Sequence, residues 1–332
     1  MLKYSVDKPG GPISVIEAEA RPLGPREVDV RVTHCGVCNT DVSLIDNAYG
    51  ISRYPMVVGH EAVGVVIGVG DEVDPSSIAV GQRVGVGAVA GSCQACEWCL
   101  SGRQNLCPRK DVTATRGGDG GFASQVRASD WRHVQPIPDG LDPATAAPLL
   151  CAGATVFPPL LRHGVRPIDR VAVVGVGGLG HLALQFLRAW GCHVTAISSS
   201  ESKAGDARRF GAHDVVVVGE EPPAGAFDFV LSTVPADLPW DAYLAALRPG
   251  GTLCLVGVPH GRLSFAPLGM FTGERKVAGG NVGTPSEQRA MLGFAARHGI
   301  AAQVETFPVA RIDEALDRVR QGTARYRAVL EM

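Results

Sequence analysis

Two rhythms of apolar and polar positions divide the chain. From Lys3 to about Gly87, short runs rich in β-branched residues are broken by Gly and Pro. Val28-Asp29-Val30-Arg31-Val32 alternates like a half-buried strand, and residues 62–69 do so in a more apolar form. This part is expected to be β-rich. Residues 92–107 follow neither period and are expected to form a loop lobe. After about Cys151 the pattern turns to strand, helix, strand. Residues 170–174, 193–197, 215–218, 227–231 and 252–256 read as strands, with helices at 179–190, 202–210 and 240–247. Such alternation implies a parallel sheet covered on both faces. It ends near Gly279-Gly280. Two amphipathic helices (287–298, 312–321) and a short strand (328–330) follow, and this tail is expected to pack back onto the first domain.

Composition narrows the classes. A chain of 332 residues suggests two domains. Apolar types make up 45% and charged types 19%, which suits a buried core and argues against disorder. The 31 basic and 33 acidic side chains nearly cancel, so no global basic field gathers nucleic acid or anionic lipid. The start of the chain runs into Asp7, Lys8 and Pro9 without the apolar core of a signal peptide. Residues 143–161 are interrupted by four prolines, and residues 171–187 by glycines and polar groups. Neither stretch is expected to span a membrane. The expectation is a soluble, cytoplasmic protein.

The candidate chemistry begins with a glycine cluster. Gly175-Val176-Gly177-Gly178-Leu179-Gly180 follows a predicted strand and opens a predicted helix. In that context Gly175 permits a tight turn, Gly177 lets backbone approach a pyrophosphate, and Gly180 allows close helix–strand packing. The helix N-terminus offers unpaired N–H groups to the phosphates. An NAD site places Asp or Glu at the tip of the second strand, about 20 residues on. Here that place holds Ser198, Ser199 and Ser200, followed by Glu201, Ser202 and Lys203. Hydroxyls and a lysine can donate to a 2′-phosphate, with Arg208 a further cation, so NADP(H) is the expected cofactor. Glu201 points the other way, and the serines equally suit a cap for the helix near Ser202.

The nine cysteines cannot all pair, and four of them crowd into one segment. Cys93-x-x-Cys96-x-x-Cys99-x(7)-Cys107 offers four thiols, a standard set for a closed tetrahedral zinc site. A second constellation is dispersed: Cys38-Asn39-Thr40-Asp41, then Gly59-His60-Glu61, then Cys151. A catalytic zinc needs about three protein ligands and an open position. Sequence spacing alone hardly nominates these residues, and a His followed by Glu is more often a surface pair.

Taken together, Cys35 to Asp41, Gly59 to Glu61, the four-cysteine lobe, Pro148 to Gly153, Gly175 to His181 and Gly322 to Arg327 make a family pattern. In this order the chain resembles the zinc-dependent medium-chain alcohol dehydrogenases, in the cinnamyl alcohol dehydrogenase-like group that includes bacterial NADPH-dependent aldehyde reductases. The resemblance implies an α/β protein: a β-rich GroES-like catalytic domain (1–150 and 283–332) and a Rossmann doubly wound parallel-sheet domain (151–282). It implies two zinc ions per chain, one catalytic and one structural. Cys38, His60 and Cys151 match the catalytic ligands, and Glu61 the carboxylate that ligates zinc in place of water or waits behind it. Asp41 matches the carboxylate that orients the ligand His, and Thr40 the hydroxyl that bonds the substrate oxygen. Cys35 matches no ligand. Two positions depart from the family pattern: Asn39 replaces a His or Arg near the pyrophosphate, and Ser43 replaces a His that ends the proton relay. A homodimer is also implied.

The expected activity is hydride transfer between NADP(H) and an aldehyde/primary alcohol pair, chiefly aldehyde reduction. A hydrophobic or aromatic substrate is expected, with residues 44–54, Trp98 and residues 271–282 near it. Two alternatives stand beside this: reduction of C=N or conjugated C=C bonds on the same scaffold, and a non-catalytic NADPH-binding protein.

Overall fold

The computed structural model describes residues 1–115, 119–217, 221–259 and 261–332. The chain divides into two compact units, Met1–Ala154 with Val282–Met332, and Thr155–Asn281. The first boundary falls past the expected 150/151 because the turn Ala147–Leu150 packs on the strands of the first unit and keeps Cys151 there.

In the first unit, Val28–Val37 is the hub of a seven-stranded sheet. On one side it pairs antiparallel with Ala62–Val69, which pairs with Arg83–Val86, and that strand with Val134–Pro136. On the other side it pairs with Arg327–Glu331, placing Ala328 opposite Val37. The C-terminal tail thus returns to the first unit as expected. Val28, Val30 and Val32 face a core that includes Val66, Phe122, Ile312 and Leu316. The polar Asp29 is buried as well, and it is compensated by a two-pronged bond from Arg127 at 2.6 and 2.7 Å. The sequence reading left out the strand Val304–Pro308, parallel to Arg327–Glu331 at the edge of the sheet, and the strands Gln125–Ala128 and Val134–Pro136 as well. Within the cysteine segment the structure has short helical turns at Glu97–Leu100 and Gln104–Leu106 rather than plain loop. They are too short to leave a periodic trace.

The second unit is a six-stranded, all-parallel sheet. In spatial order its strands are Asp214–Val217, His193–Ser198, Arg170–Val174, Phe227–Ser232, Leu247–Leu255 and Lys276–Gly279. Val218, the predicted end of one strand, lies outside the described residues. The central strand is buried on both faces, which explains its unbroken Val-Ala-Val-Val run. The helix Gly180–Trp190 ends at Gly191, whose φ of +106° only glycine adopts readily. In the first unit, the helix Pro285–His298 begins with Thr284 accepting from the Glu287 N–H and Glu287 accepting in return from the Thr284 N–H. Proline at its first position and Gly299 at its end complete the start and stop signals.

Among the described residues, one helical run, Pro143–Arg162, is long and apolar enough to cross a membrane by length and composition alone. It is built from pieces, Pro143–Ala146, Ala147–Leu150, Ala152–Val156 and Pro158–Arg162, and most of it is buried inside protein.

Candidate active site

Cys38 stands at the N-terminus of the seven-residue helix Asn39–Ile45, just after the central strand of the first unit. His60 and Glu61 lead into Ala62–Val69, the neighbouring strand. Cys151 follows the turn Ala147–Leu150. These segments bring Cys38 Sγ to 4.0 Å from Cys151 Sγ, and His60 Nε2 to 3.3 Å from the same sulfur. A tetrahedral zinc with ordinary Zn–S and Zn–N bonds sets its ligand atoms about 3.5–3.8 Å apart. With Glu61, the cluster keeps every donor atom within 4.8 Å of the others. The donor set and its spacing fit a zinc ion.

Asp41 is fully buried and holds this arrangement from behind. Its Oδ1 accepts from His60 Nδ1 and the Gly59 N–H, both at 2.9 Å, and its Oδ2 accepts from the Cys38 N–H at 2.9 Å. With the proton on Nδ1, the Nε2 lone pair of His60 faces Cys151. Burial works against charge on this imidazole, yet Asp41 outweighs it and holds His60 well above the usual range. The bond from Cys151 lowers Cys38 against the penalty of burial, and Arg327 and His60 add to it. Thr40 and Ser43 are both half-buried and lie three residues apart on the same helix, hence on one face.

Glu61 is also fully buried, and Arg327 donates to its Oε1 in a short charge-assisted bond. Burial raises the Glu61 carboxyl to about 7, with Arg327 pulling the other way. Its Oε2 has no hydrogen-bond partner among the described residues, and it lies over Gly36, where any Cβ would collide with it.

In the second cluster, Cys107 and Cys93 lie 3.5 Å apart, Cys96 and Cys99 3.6 Å, and Cys93 and Cys99 3.9 Å. Four sulfurs at such separations match the edges of a zinc–tetrathiolate, about 3.8 Å.

In the second unit, Gly175 has φ +94°, and a Cβ there would strike Val234. A Cβ on Gly180 would collide with the Gly175 carbonyl, while one on Gly177 would project into open space. The glycines therefore pack the helix onto its strand and leave room above its N-terminus, where Gly178 and Leu179 lie. The buried His181 donates from Nδ1 to the Gly177 carbonyl at 3.0 Å and so braces the turn. Ser198 departs from the sequence expectation. It is fully buried, and its hydroxyl is spent on the Ser200 backbone, donating to the carbonyl at 2.9 Å and accepting from the N–H at 3.2 Å. Ser200 caps the turn Glu201–Lys203, as the capping alternative foresaw. Ser199 is exposed and Lys203 half-exposed.

Residues 24–139 match the alcohol dehydrogenase GroES-like domain, and residues 178–297 the zinc-binding dehydrogenase domain. An aldehyde reductase, AdhA, from Synechocystis is 42% identical, covering 99% of this chain and 98% of its own length. The chain belongs to the medium-chain alcohol dehydrogenase family. A probable cinnamyl alcohol dehydrogenase from rice is 38% identical over 97% of this dehydrogenase and 90% of its own chain. A sorghum cinnamyl alcohol dehydrogenase structure superposes with a TM-score of 0.93 at 35% identity, covering 99% of this chain and 97% of its own. A Helicobacter pylori enzyme of that name, solved with NADP(H), gives 0.90 at 27% identity, covering 100% and 97%.

Sequence reasoning missed one residue of this dehydrogenase's site. Arg327 stands in the sequence only as the end of the Gly322–Arg327 motif, yet it is the buried counter-ion of Glu61. The available signal was an arginine directly before the apolar run Ala328-Val329-Leu330. Leu44 and Ile45, expected near substrate, belong instead to the core, and Tyr54 donates to their carbonyls at 3.1 and 2.7 Å.

Proposed function

We propose that this protein is a zinc-dependent oxidoreductase that transfers a hydride between NADP(H) and an aldehyde/primary alcohol pair, chiefly as an aldehyde reductase. The observation that carries this reading is the convergence of Cys38 Sγ, His60 Nε2 and Cys151 Sγ, with Asp41 holding the imidazole proton on the far nitrogen. These three would hold the reacting zinc, and Glu61 either joins them in place of water or stays paired with Arg327. A zinc ion with an open position supplies Lewis-acid polarisation of a carbonyl oxygen.

The chain's own groups do the remainder. Asp41 raises the basicity of His60 and fixes its ring. Thr40 presents a hydroxyl to the substrate oxygen and passes it a proton as the aldehyde is reduced. Ser43 extends that path by one helical turn, but a hydroxyl cannot store a proton near neutral pH as imidazole does. The proton is therefore drawn from water. Cys93, Cys96, Cys99 and Cys107 would hold a second, closed zinc. Gly175, Gly177, Gly178, Leu179 and Gly180 would cradle the pyrophosphate at the helix N-terminus, with Ser199 and Lys203 toward the 2′-phosphate and Ser200 shaping that turn. The name of the Synechocystis relative and the NADP(H) of the Helicobacter structure support this assignment.

A homodimer goes with this reading. Among the described residues the strand Lys276–Gly279 ends its sheet with an unpaired edge, and Leu268 and Phe271, a few residues before it, are 71% and 80% exposed. All nine cysteines are free, which suits the reducing cytoplasm.

Metal analysis combined with initial rates on benzaldehyde tests the proposal. The expected result is about two zinc per chain, loss of turnover on chelation, and NADPH preferred over NADH. Undiminished turnover without metal, or reduction of imines or enones but not aldehydes, overturns it.

A further inference from the structure

The four-cysteine lobe is tied to the main sheet of the first unit through three side chains that meet on one oxygen. His133 is 3% exposed, ends the turn Trp131–His133, and leads straight into the sheet strand Val134–Pro136. Its Nε2 lies 3.0 Å from Ser92 Oγ. Gln94 Nε2 donates to the same oxygen at 2.9 Å, from a residue whose φ is +57°. Cys99 Sγ lies 3.6 Å from it on the lobe side. Ser92 and Cys99 are both buried.

A hydroxyl has one hydrogen to give and two lone pairs. The Gln94 amide occupies one lone pair. If Cys99 is a metal thiolate, it has no hydrogen and can only accept. One arrangement then satisfies the Ser92 hydroxyl and the thiolate together: His133 carries its proton on Nε2 and fills the second lone pair, and the Ser92 hydrogen points to the Cys99 sulfur, while the buried Nδ1 of His133 has no side-chain or backbone bond of standard geometry among the described residues. The alternative tautomer would draw that hydrogen toward His133 and leave a buried thiolate facing a bare oxygen, which is costly.

We propose that Ser92, aimed by His133 and Gln94, donates its hydroxyl hydrogen to the Cys99 sulfur and is a positioning residue for the metal of the four-cysteine lobe. The bond spreads the charge of the tetrathiolate onto protein dipoles and locks one ligand against the sheet through His133. Partners of this kind alter metal affinity by about 10–100-fold. The inference rests on the reading of the lobe as a zinc centre.

The experiment follows zinc release from holoenzyme to a chromogenic chelator, with a Cys151→Ser background to identify the lobe's release phase. Ser92→Ala is expected to release lobe zinc about tenfold faster or more, while Ser92→Thr, which keeps the hydroxyl, stays within about twofold of the parent. In the cobalt-loaded protein, Ser92→Ala is expected to move the sulfur-to-metal charge-transfer band to longer wavelength, because the sulfur lone pair loses its donor. Removal of bulk alone would not do this. If Ser92→Ala does not fold, His133→Phe tests the same chain and is expected to shift both readouts in the same direction. Release and spectrum unchanged in a folded variant overturn the proposal. A parent protein with no metal in the lobe instead refutes the zinc reading beneath it.

Discussion

Arg327 reaches the Glu61 carboxylate across the central strand of the first unit, over a sequence separation of 266 residues. Val329 pairs with Gly36, and the Gly36 N–H donates to the Glu61 carbonyl at 3.2 Å, so the two charged residues flank Val28–Val37 from opposite sides. The glycine between them has no Cβ, and Glu61 passes through that gap. Both charges are buried, and each is the other's compensation. Replacing Arg327 with Met strands a buried carboxylate and is expected to cost about 3–5 kcal/mol. Adding Glu61→Gln should recover part of that loss. Urea denaturation of the zinc-loaded proteins measures both.

The same gap predicts an effect from the other side. In Gly36→Ala the new methyl would occupy the place of Glu61 Oε2. Overpacking of this kind costs about 1–3 kcal/mol. A midpoint of denaturation equal to the parent's would show that Glu61 moves away freely.

Asp41 accepts three N–H groups and has no hydrogen to offer. Asn at this position would aim an NH₂ at at least one donor. Asp41→Asn is therefore expected to weaken zinc at the Cys38–His60–Cys151 site by about 10–100-fold, read by competition with a chelator. The four-cysteine lobe should keep its metal.

Lys203 is the cation of the Ser199–Lys203 turn. A hydrogen bond to a charged group contributes about 1.5–3 kcal/mol, so Lys203→Ala should raise the KM for NADPH by about tenfold or more. The KM for NADH should hold. Equal changes for both would place Lys203 away from the 2′-phosphate.

His133 ties stability to pH. Burial lowers it to about 4, while Asp130 and Asp111 pull it up and Arg132 pushes it down. The folded imidazole stays neutral where the unfolded one, near 6.5, takes a proton. Stability from this group is thus complete above about 6.5 and is lost as pH falls toward 4, by about 3 kcal/mol at most. Unfolding free energies at pH 7 and pH 5 should differ less in His133→Phe than in the parent.

Much of this was readable along the chain. The residue 62–69 strand, the glycine turn, the helices at 179–190 and 287–298, and the four-cysteine lobe all follow from spacings within about one element's length. Some strands were not readable, two of them at sheet edges. Val304–Pro308 and Lys276–Gly279 are short and half-exposed, so no apolar period marks them, and they exist because a neighbouring strand offers its edge. Ser198 was misread for a related reason. Its type suits a phosphate, but the side on which it left the strand was set by the sheet.

The sequence by itself determined most element types, the glycine-turn geometry and the crowding of four thiols, because each depends on residues close together in the chain. Tertiary structure alone decided that Cys151 would lie beside Cys38, 113 positions away, and beside His60, 91 positions away. It also decided that Arg327 would answer Glu61 through the space above Gly36. Those meetings are set by strand register, which is the joint outcome of many packed pairs and is written at no single position.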